Sequence, residues 1–185
     1  PTNTELMEEW VALMKSGSGE RGIFNRGGLS KQMPKRRVKL MEEKYGKENF
    51  ELMGTNPCGE ITLQSKEFCN LSEVIARAND TEESLLRKAR LATILGTYQS
   101  SLTKFRYISK EWTENVKEER LLGVSITGQW DCPAVRNPET LLKMKQLTID
   151  TNKEYAKRLG INASSSITCV KPSGNSSQLF DCSSG

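Results

Sequence analysis

Three reactive side chains fall within five positions of one another: Asn56, Cys58 and Glu60, in the run Gly54-Thr55-Asn56-Pro57-Cys58-Gly59-Glu60-Ile61. Asn56 is a neutral amide that both donates and accepts, Cys58 offers a thiol, and Glu60 a carboxylate. Pro57, Gly54 and Gly59 disfavour a regular helix, so the run predicts a turn or loop tip. In an extended arrangement alternate residues point the same way, and the three groups would share a face. Amide, thiol and acid facing one small volume is an arrangement for chemistry. The same residues also fit a plainer account, because a lone cysteine is usually a small buried hydrophobe and Asn-Pro-Xaa-Gly an ordinary turn. A second thiol, Cys69 in Cys69-Asn70-Leu71, follows eleven residues after Cys58.

Composition narrows the chemistry. The 185 residues include five cysteines, at 58, 69, 132, 169 and 182, and no histidine. An odd cysteine count without a CxxC pair argues against a structural zinc site, and the lack of imidazole excludes a histidine-based triad or metallohydrolase. Glu60 is then the candidate acid–base group. With no export signal at the start, a reducing compartment and free or catalytic thiols are expected. Net charge is +4, from 27 basic and 23 acidic residues, mostly interspersed. Only Lys31 to Lys39 is locally basic, and without interleaved aromatics it reads as a solvated helix start rather than a nucleic-acid surface. Nothing approaches the ~18–20 apolar residues of a membrane span.

The positioning elements follow from periodicity. Thr2 to Lys15 is predicted helical, capped by Thr2 or Thr4, with Leu6, Trp10, Leu13 and Met14 as its apolar stripe. The glycine-rich run Ser16–Gly22 ends it, and neither standard nucleotide-loop glycine pattern is complete there. Ser30 to Lys35 reads as loop, Arg36 to Lys44 as a short charged helix, and 30–50 as a candidate insertion. Phe50 to Met53 is a brief apolar run, Ile61-Thr62-Leu63 alternates as a strand would, and Phe68 to Val74 carries the second cysteine. Thr81 to Leu102 is predicted helical, with Leu85, Leu86, Ala89, Leu91, Ala92, Leu95 and Tyr98 as a core-facing stripe. Leu121 to Ile126 has the content of a buried parallel strand ended by Gly128. Asn137 to Leu159 is a helix begun by Pro138 and closed by Gly160. Ser166 to Val170 is a strand, followed by Lys171-Pro172-Ser173-Gly174-Asn175-Ser176-Ser177-Gln178. A strand, a small-residue loop and a helix start present backbone N–H groups to an anion, although an ordinary polar turn fits the same residues. Alternating strands and helices give an α/β fold.

Asn56-Pro-Cys-Gly-Glu-Ile61 followed by Cys69-Asn-Leu71 closely resembles the finger loop of ribonucleotide reductases. Two further elements share the resemblance. Arg120-Leu-Leu-Gly-Val-Ser-Ile-Thr-Gly128 is similar to that family's Arg-Xaa-Xaa-Gly-Val-Xaa-Xaa-Thr-Gly element. Pro172-Ser-Gly-Asn-Ser-Ser177 is similar to its phosphate-binding loop, so Ser173, Gly174, Asn175, Ser176 and Ser177 are the implied phosphate contacts. Ser18 to Asn25 resembles a Ser-Gly-Glu-Pro-Gly-type connection, with Arg21 in place of Pro, whereas residues 30–50 match poorly. The resemblance implies that 1–185 is part of the family's ten-stranded α/β barrel, with the finger loop at 54–61 and the phosphate loop at 171–178. Pro1 and Asp181-Cys-Ser-Ser-Gly185 are not obvious termini, and an internal piece, inactive alone, is expected.

What the family implies is radical reduction of a ribonucleotide. Cys58 would become a thiyl radical, Glu60 the base for the 3′-hydroxyl, Asn56 a sugar-binding amide, and Cys69 half of the reducing dithiol, its partner lying upstream of Pro1. Glu60 with Cys69 sets the chain apart from the anaerobic branch. The Asn-Pro-Cys-Gly-Glu wording, the cysteine spacing and Lys171-Pro-Ser-Gly look most like the adenosylcobalamin-dependent branch, and Ile75 to Trp130 most like the triphosphate reductases of bacteria and their phages. That implies a ribonucleoside triphosphate substrate, a dNTP effector, thioredoxin or a similar dithiol as reductant, no nucleic-acid or membrane partner, and a cytoplasmic setting. Two alternatives remain at this point: the large subunit of a di-iron-dependent diphosphate reductase, and a non-catalytic nucleotide-binding module on the same scaffold.

Overall fold

The computed structural model describes residues 2–19, 22–46 and 52–184. Arg21 and the first part of the Phe50–Met53 run lie outside them. Seven helices and four strands are described: α1 (Asn3–Ser16), α2 (Leu29–Gln32), α3 (Lys35–Tyr45), β1 (Gly54–Thr55), β2 (Thr62–Leu63), β3 (Asn70–Ile75), α4 (Glu82–Ser100), α5 (Lys110–Glu119), β4 (Leu122–Thr127), α6 (Pro138–Leu159) and α7 (Ser176–Leu179).

The centre is a small parallel sheet. β3 pairs with β4 in register from Asn70–Leu122 to Ile75–Thr127. The segment 166–169 lies along the far side of β4, bonded through Leu122 N to Ser166 O, Val124 N to Ile167 O and Cys169 N to Val124 O. The predicted strand at 166–170 is therefore present as a parallel edge joined by a single bridge, Val124 to Thr168, rather than as a full ladder. Helices α4 and α6 cover one face of this sheet. Val74, Leu122, Val124 and Ile167 point to them and pack with Leu85, Ala89, Ala92, Val135 and Met144. Cys132, with no role assigned from its pattern, is fully buried in that core.

The helices bury a narrower face than the leucine pattern predicts. In α4, Leu91, Leu95 and Tyr98 stay exposed while Thr93, Gly96, Thr97 and Ser100 are buried. The reason is close approach: a Cβ on Gly96 would lie 3.4 Å from Ser72 Oγ and 3.5 Å from Leu122. Small residues let the helix sit down on the sheet, and their hydroxyls then need partners. Asn152 Nδ2 of α6 donates to Thr97 Oγ1 at 3.0 Å and to Ser164 Oγ at 2.9 Å. Likewise in α6, Leu142 is exposed and Met144, Thr148, Thr151 and Ala156 face inward.

Other differences are local. Helix α1 forms with the Thr2–Glu5 capping box, yet its stripe of Leu6, Trp10 and Met14 is exposed and none of its residues is buried. Residues 30–32, read as loop, belong to α2. The charged α5 is absent from the periodicity reading because only Val116 and Glu119 of its ten residues are buried, too few to mark a stripe. Helix α3 matches the charged helix expected near 36–44 and joins a second cluster, Leu29, Met33, Met41 and Met53.

Candidate active site

Residues 56–61 form the tip of a hairpin whose arms, β1 and β2, are two residues each and antiparallel. So short a ladder cannot hold a register by itself. The base is clamped instead by Arg37 of α3, which is 3% exposed. Its Nη1 donates to the Thr62 carbonyl at 2.6 Å, its Nε and Nη2 to Glu119 at 2.8 and 3.0 Å, and Nη2 also to Glu67 at 3.3 Å. Gln64 N donates to Glu67 Oε2 at 3.0 Å, and Ser165 Oγ to Glu119 at 2.6 Å. Two carboxylates share one cation. Burial and the neighbouring Glu119 push Glu67 up to about 8. For Glu119, burial acts upward, but Arg37 and the hydrogen bonds to it win and hold it below the usual range. Of the basic run 31–39, Arg37 is thus a buried structural cation, and Arg36 Nε caps the Ser164 carbonyl at 3.1 Å.

The tip is a tight turn, not an extended strand. Gly59 N donates to Asn56 O at 2.9 Å, with Gly59 at φ +79°, a conformation that suits glycine. The alternating-face expectation is corrected accordingly: the turn, rather than the pleat, gathers the groups. Asn56 N donates to Ile61 O at 3.1 Å and Asn56 Oδ1 accepts from Ile61 N at 3.0 Å, closing the loop on both sides. The Asn56 Nδ2 that remains donates to Glu60 Oε1 at 2.7 Å. Cys58 stands exposed at the apex.

Lys171, just beyond the edge segment, reaches the tip. Its Nζ lies 3.0 Å from Glu60 Oε1 and 4.0 Å from Cys58 Sγ. Burial acts to raise the Glu60 pKa, but its own backbone N–H, Lys171 and Asn56 outweigh it, so the carboxyl stays below its ordinary value. The opposite holds for the two inner thiols. Burial, then the Glu60 charge, pushes Cys69 up. Burial and the neighbouring Cys69 take Cys169 to about 12. Both therefore stay protonated at neutral pH while Glu60 is ionised.

Cys169 sits on the sheet face turned away from the helices. A Cβ on Gly123 would fall 3.1 Å from Cys169 Sγ, 2.5 Å from Leu71 Cδ2 and 3.4 Å from Ile61 Cδ1, so Gly123 leaves the room in which hairpin and sheet meet. Glu73 is on that same face, accepting from Thr127 Oγ1 and, at 3.1 Å, from Ser176 Oγ. In the loop after Lys171, Ser173 Oγ bonds Ser177 Oγ at 2.9 Å, Ser176 Oγ bonds Ser173 O at 2.7 Å, and Gly174 takes φ +58°. The helix expected after it is α7, four residues long. An open cavity of about 750 Å³ runs past Gly59 and Glu60 towards Arg36, Lys145 and Ser166, with Cys58 outside its lining.

The structure thus brings Asn56, Cys58 and Glu60 together, and sets Cys69 within electrostatic reach of Glu60. The sequence pattern places Lys171 in the phosphate loop, not at Glu60, and misses Glu73 as a member of the site. Their signals were slight: a lysine two positions after a strand cysteine, and a lone acid alternating into a strand.

Thiols and an ionised acid are thus gathered beside a parallel sheet, and known proteins of similar sequence and fold bear on this arrangement. The chain is 26% identical over 95% of its length to an adenosylcobalamin-dependent ribonucleoside-triphosphate reductase of Lacticaseibacillus paracasei, covering 26% of that protein. It is 29% identical over 73% of its length to the enzyme of the same name from Lactobacillus gasseri, covering 22% of it. A crystal structure of a B-12 dependent, class II ribonucleotide reductase superposes with a TM-score of 0.54 at 25% identity, over 71% of this chain and 22% of that one. No protein-family model matches the chain. In sequence and fold the chain is similar to class II, cobalamin-dependent ribonucleotide reductases, and it spans about a quarter of the length of the relatives it matches.

Proposed function

We propose that this chain carries the finger loop of an adenosylcobalamin-dependent ribonucleoside-triphosphate reductase, within the family's ten-stranded barrel. The observation that carries the reading is the turn that joins Asn56 to an ionised Glu60 beneath an exposed Cys58, with the protonated Cys69 near the same carboxylate. The relatives' names favour the cobalamin-dependent branch over the di-iron one.

Removing a ribose 2′-hydroxyl from an unactivated carbon is slow because hydroxide is a poor leaving group, and a radical on the neighbouring 3′ carbon relieves this. Adenosylcobalamin, when bound, supplies the radical that turns the Cys58 thiol into a thiyl. The exposed apex position fits a thiol that must be reached from outside this chain. Cys58 takes the 3′ hydrogen, and Glu60, ionised, accepts the 3′-hydroxyl proton as general base. The 2′-oxygen leaves as water after protonation. Cys69, kept as a thiol by its burial, delivers a hydrogen, and with a partner thiol outside these residues ends as a disulfide. The balance is one ribonucleotide and one dithiol to one deoxyribonucleotide, one disulfide and water; Cys58 returns the 3′ hydrogen to the sugar and is a thiyl radical again. Ser173, Gly174, Asn175, Ser176 and Ser177 are the proposed phosphate contacts. A dNTP effector, thioredoxin or a similar dithiol, and the bacterial cytoplasm complete the proposal.

The test uses the complete gene product with CTP and a dithiol. Formation of dCTP that requires adenosylcobalamin is expected. Product only from CDP with an added di-iron partner protein would overturn the branch, and nucleotide binding without turnover under any condition would overturn the reductase reading.

A further inference from the structure

The Glu60 carboxylate is used asymmetrically. Oε1 accepts from both Asn56 Nδ2 at 2.7 Å and Lys171 Nζ at 3.0 Å, whereas Oε2 is buried and has no hydrogen-bond partner among the described residues. The Glu60 side chain is only 3% exposed, and Lys171 is 28% exposed. A buried carboxylate oxygen left bare costs free energy, and such an orphan in a native site marks a place for a ligand donor. We propose that Lys171 is a positioning residue of this site: with Asn56 it occupies Glu60 Oε1, and so reserves Oε2 for a hydroxyl of the bound ribose. This rests on the reductase reading above. Lys171 comes from the segment beyond Cys169, 111 positions away in sequence, so the contact also ties the hairpin tip to the sheet edge.

Among the described residues no other cation pairs with Glu60. The titratable groups around it are Lys171, the thiols of Cys58, Cys69 and Cys169, and Lys35, Arg36, Arg37 and Lys145, which line the same cavity, Arg36 being bonded to the Ser164 carbonyl. Arg37 is committed to Glu67, Glu119 and the Thr62 carbonyl. Without Lys171, burial would act on Glu60 with only neutral donors to oppose it, and the base would retain its proton to higher pH. A lysine that instead gripped the substrate phosphates would leave Glu60 unmoved and change only substrate affinity.

The experiment compares wild type, K171R and K171Q in the complete gene product by two readouts. One is the titration of Glu60 by 13C-glutamate NMR, its resonance assigned by loss in E60Q. The other is the acid limb of the kcat/KM profile. In K171Q both midpoints are expected to move up by about one pH unit, the low end for loss of an adjacent opposite charge at a partly exposed site, and K171R keeps both in place. A K171Q enzyme whose Glu60 titrates as in wild type, or whose KM rises with the acid limb unmoved, overturns the proposal. An upward NMR shift in a protein that makes no deoxynucleotide supports the Lys171–Glu60 pairing and overturns the reductase reading instead.

Discussion

Replacing Arg37 by Met removes the one cation between two buried carboxyls and is the sharpest test of how the hairpin is held. The side chain makes four hydrogen bonds, at 2.6 to 3.3 Å, to Thr62, Glu119 and Glu67. Removing one member of a buried pair typically costs about 3–5 kcal/mol, because the other charge is left uncompensated. Here the cost of neutralising the stranded charge can be worked out. Glu67 already holds its proton at pH 7, so only Glu119 is stranded, and it can escape by protonating. Starting from the ordinary 4.5, that step costs roughly 3.4 kcal/mol at pH 7 by the value of a pKa unit. The expected loss is therefore about 3–4 kcal/mol at pH 7. Glu119 is held low in the folded state, so its contribution is present above the ordinary carboxylate pKa and disappears as pH falls through its folded value. At pH 4.5 the cost of protonating Glu119 has gone, so the loss in R37M should shrink by roughly 3 kcal/mol, and what is left fades only as pH drops further, through the folded value of Glu119. Urea unfolding followed by tryptophan fluorescence reads this, since Trp112 lies against Phe68, next to Glu67. A loss under about 1 kcal/mol at pH 7, or one of equal size at both pH values, would refute the clamp.

Two further outcomes follow from the same geometry. Glu67 is raised, so it weakens the fold as pH climbs from about 4.5 to about 8, by up to roughly 1.4 kcal/mol per unit. The isosteric E67Q mimics the protonated form and should flatten that slope in a pH series of urea midpoints; an unchanged slope contradicts the shift. At Gly128, φ is +84° and an added Cβ would lie 2.3 Å from the Ala76 carbonyl oxygen, a backbone atom with nowhere to go. G128A should lose about 2–4 kcal/mol, strain and overpacking combined, by thermal or urea unfolding. A loss below about 1 kcal/mol would mean that β3 and the end of β4 do not meet as described.

Much of the scaffold is legible in the sequence because capping and periodicity are local. Thr2, Thr81 and Asn137 cap the helices at the positions read for them, and Gly128 and Gly160 end their elements with positive φ. What periodicity could not give was which part of each apolar face the sheet would cover. Leu91, Leu95 and Leu142 look like core and are exposed, whereas Thr97, Thr151 and Asn152 look like surface and are buried. That choice is made by how closely Gly96 and Ala92 let α4 approach, a tertiary matter. At the site, the proximity of Asn56, Cys58 and Glu60 was written in their spacing, although the turn and not an extended backbone achieves it. Lys171 and Arg37 come from 111 and 25 positions away from their partners Glu60 and Thr62, and no local pattern links them.

The central claim is that Cys58 takes the 3′ hydrogen of a ribonucleotide. The most direct measurement is dCTP formation from ordinary and 3′-deuterated CTP by the complete gene product, with adenosylcobalamin and a dithiol, in wild type and C58S. A wild-type enzyme that turns over, slows with 3′ deuterium, and loses all product in C58S is the result predicted here. Deoxynucleotide formation that survives in C58S would contradict it.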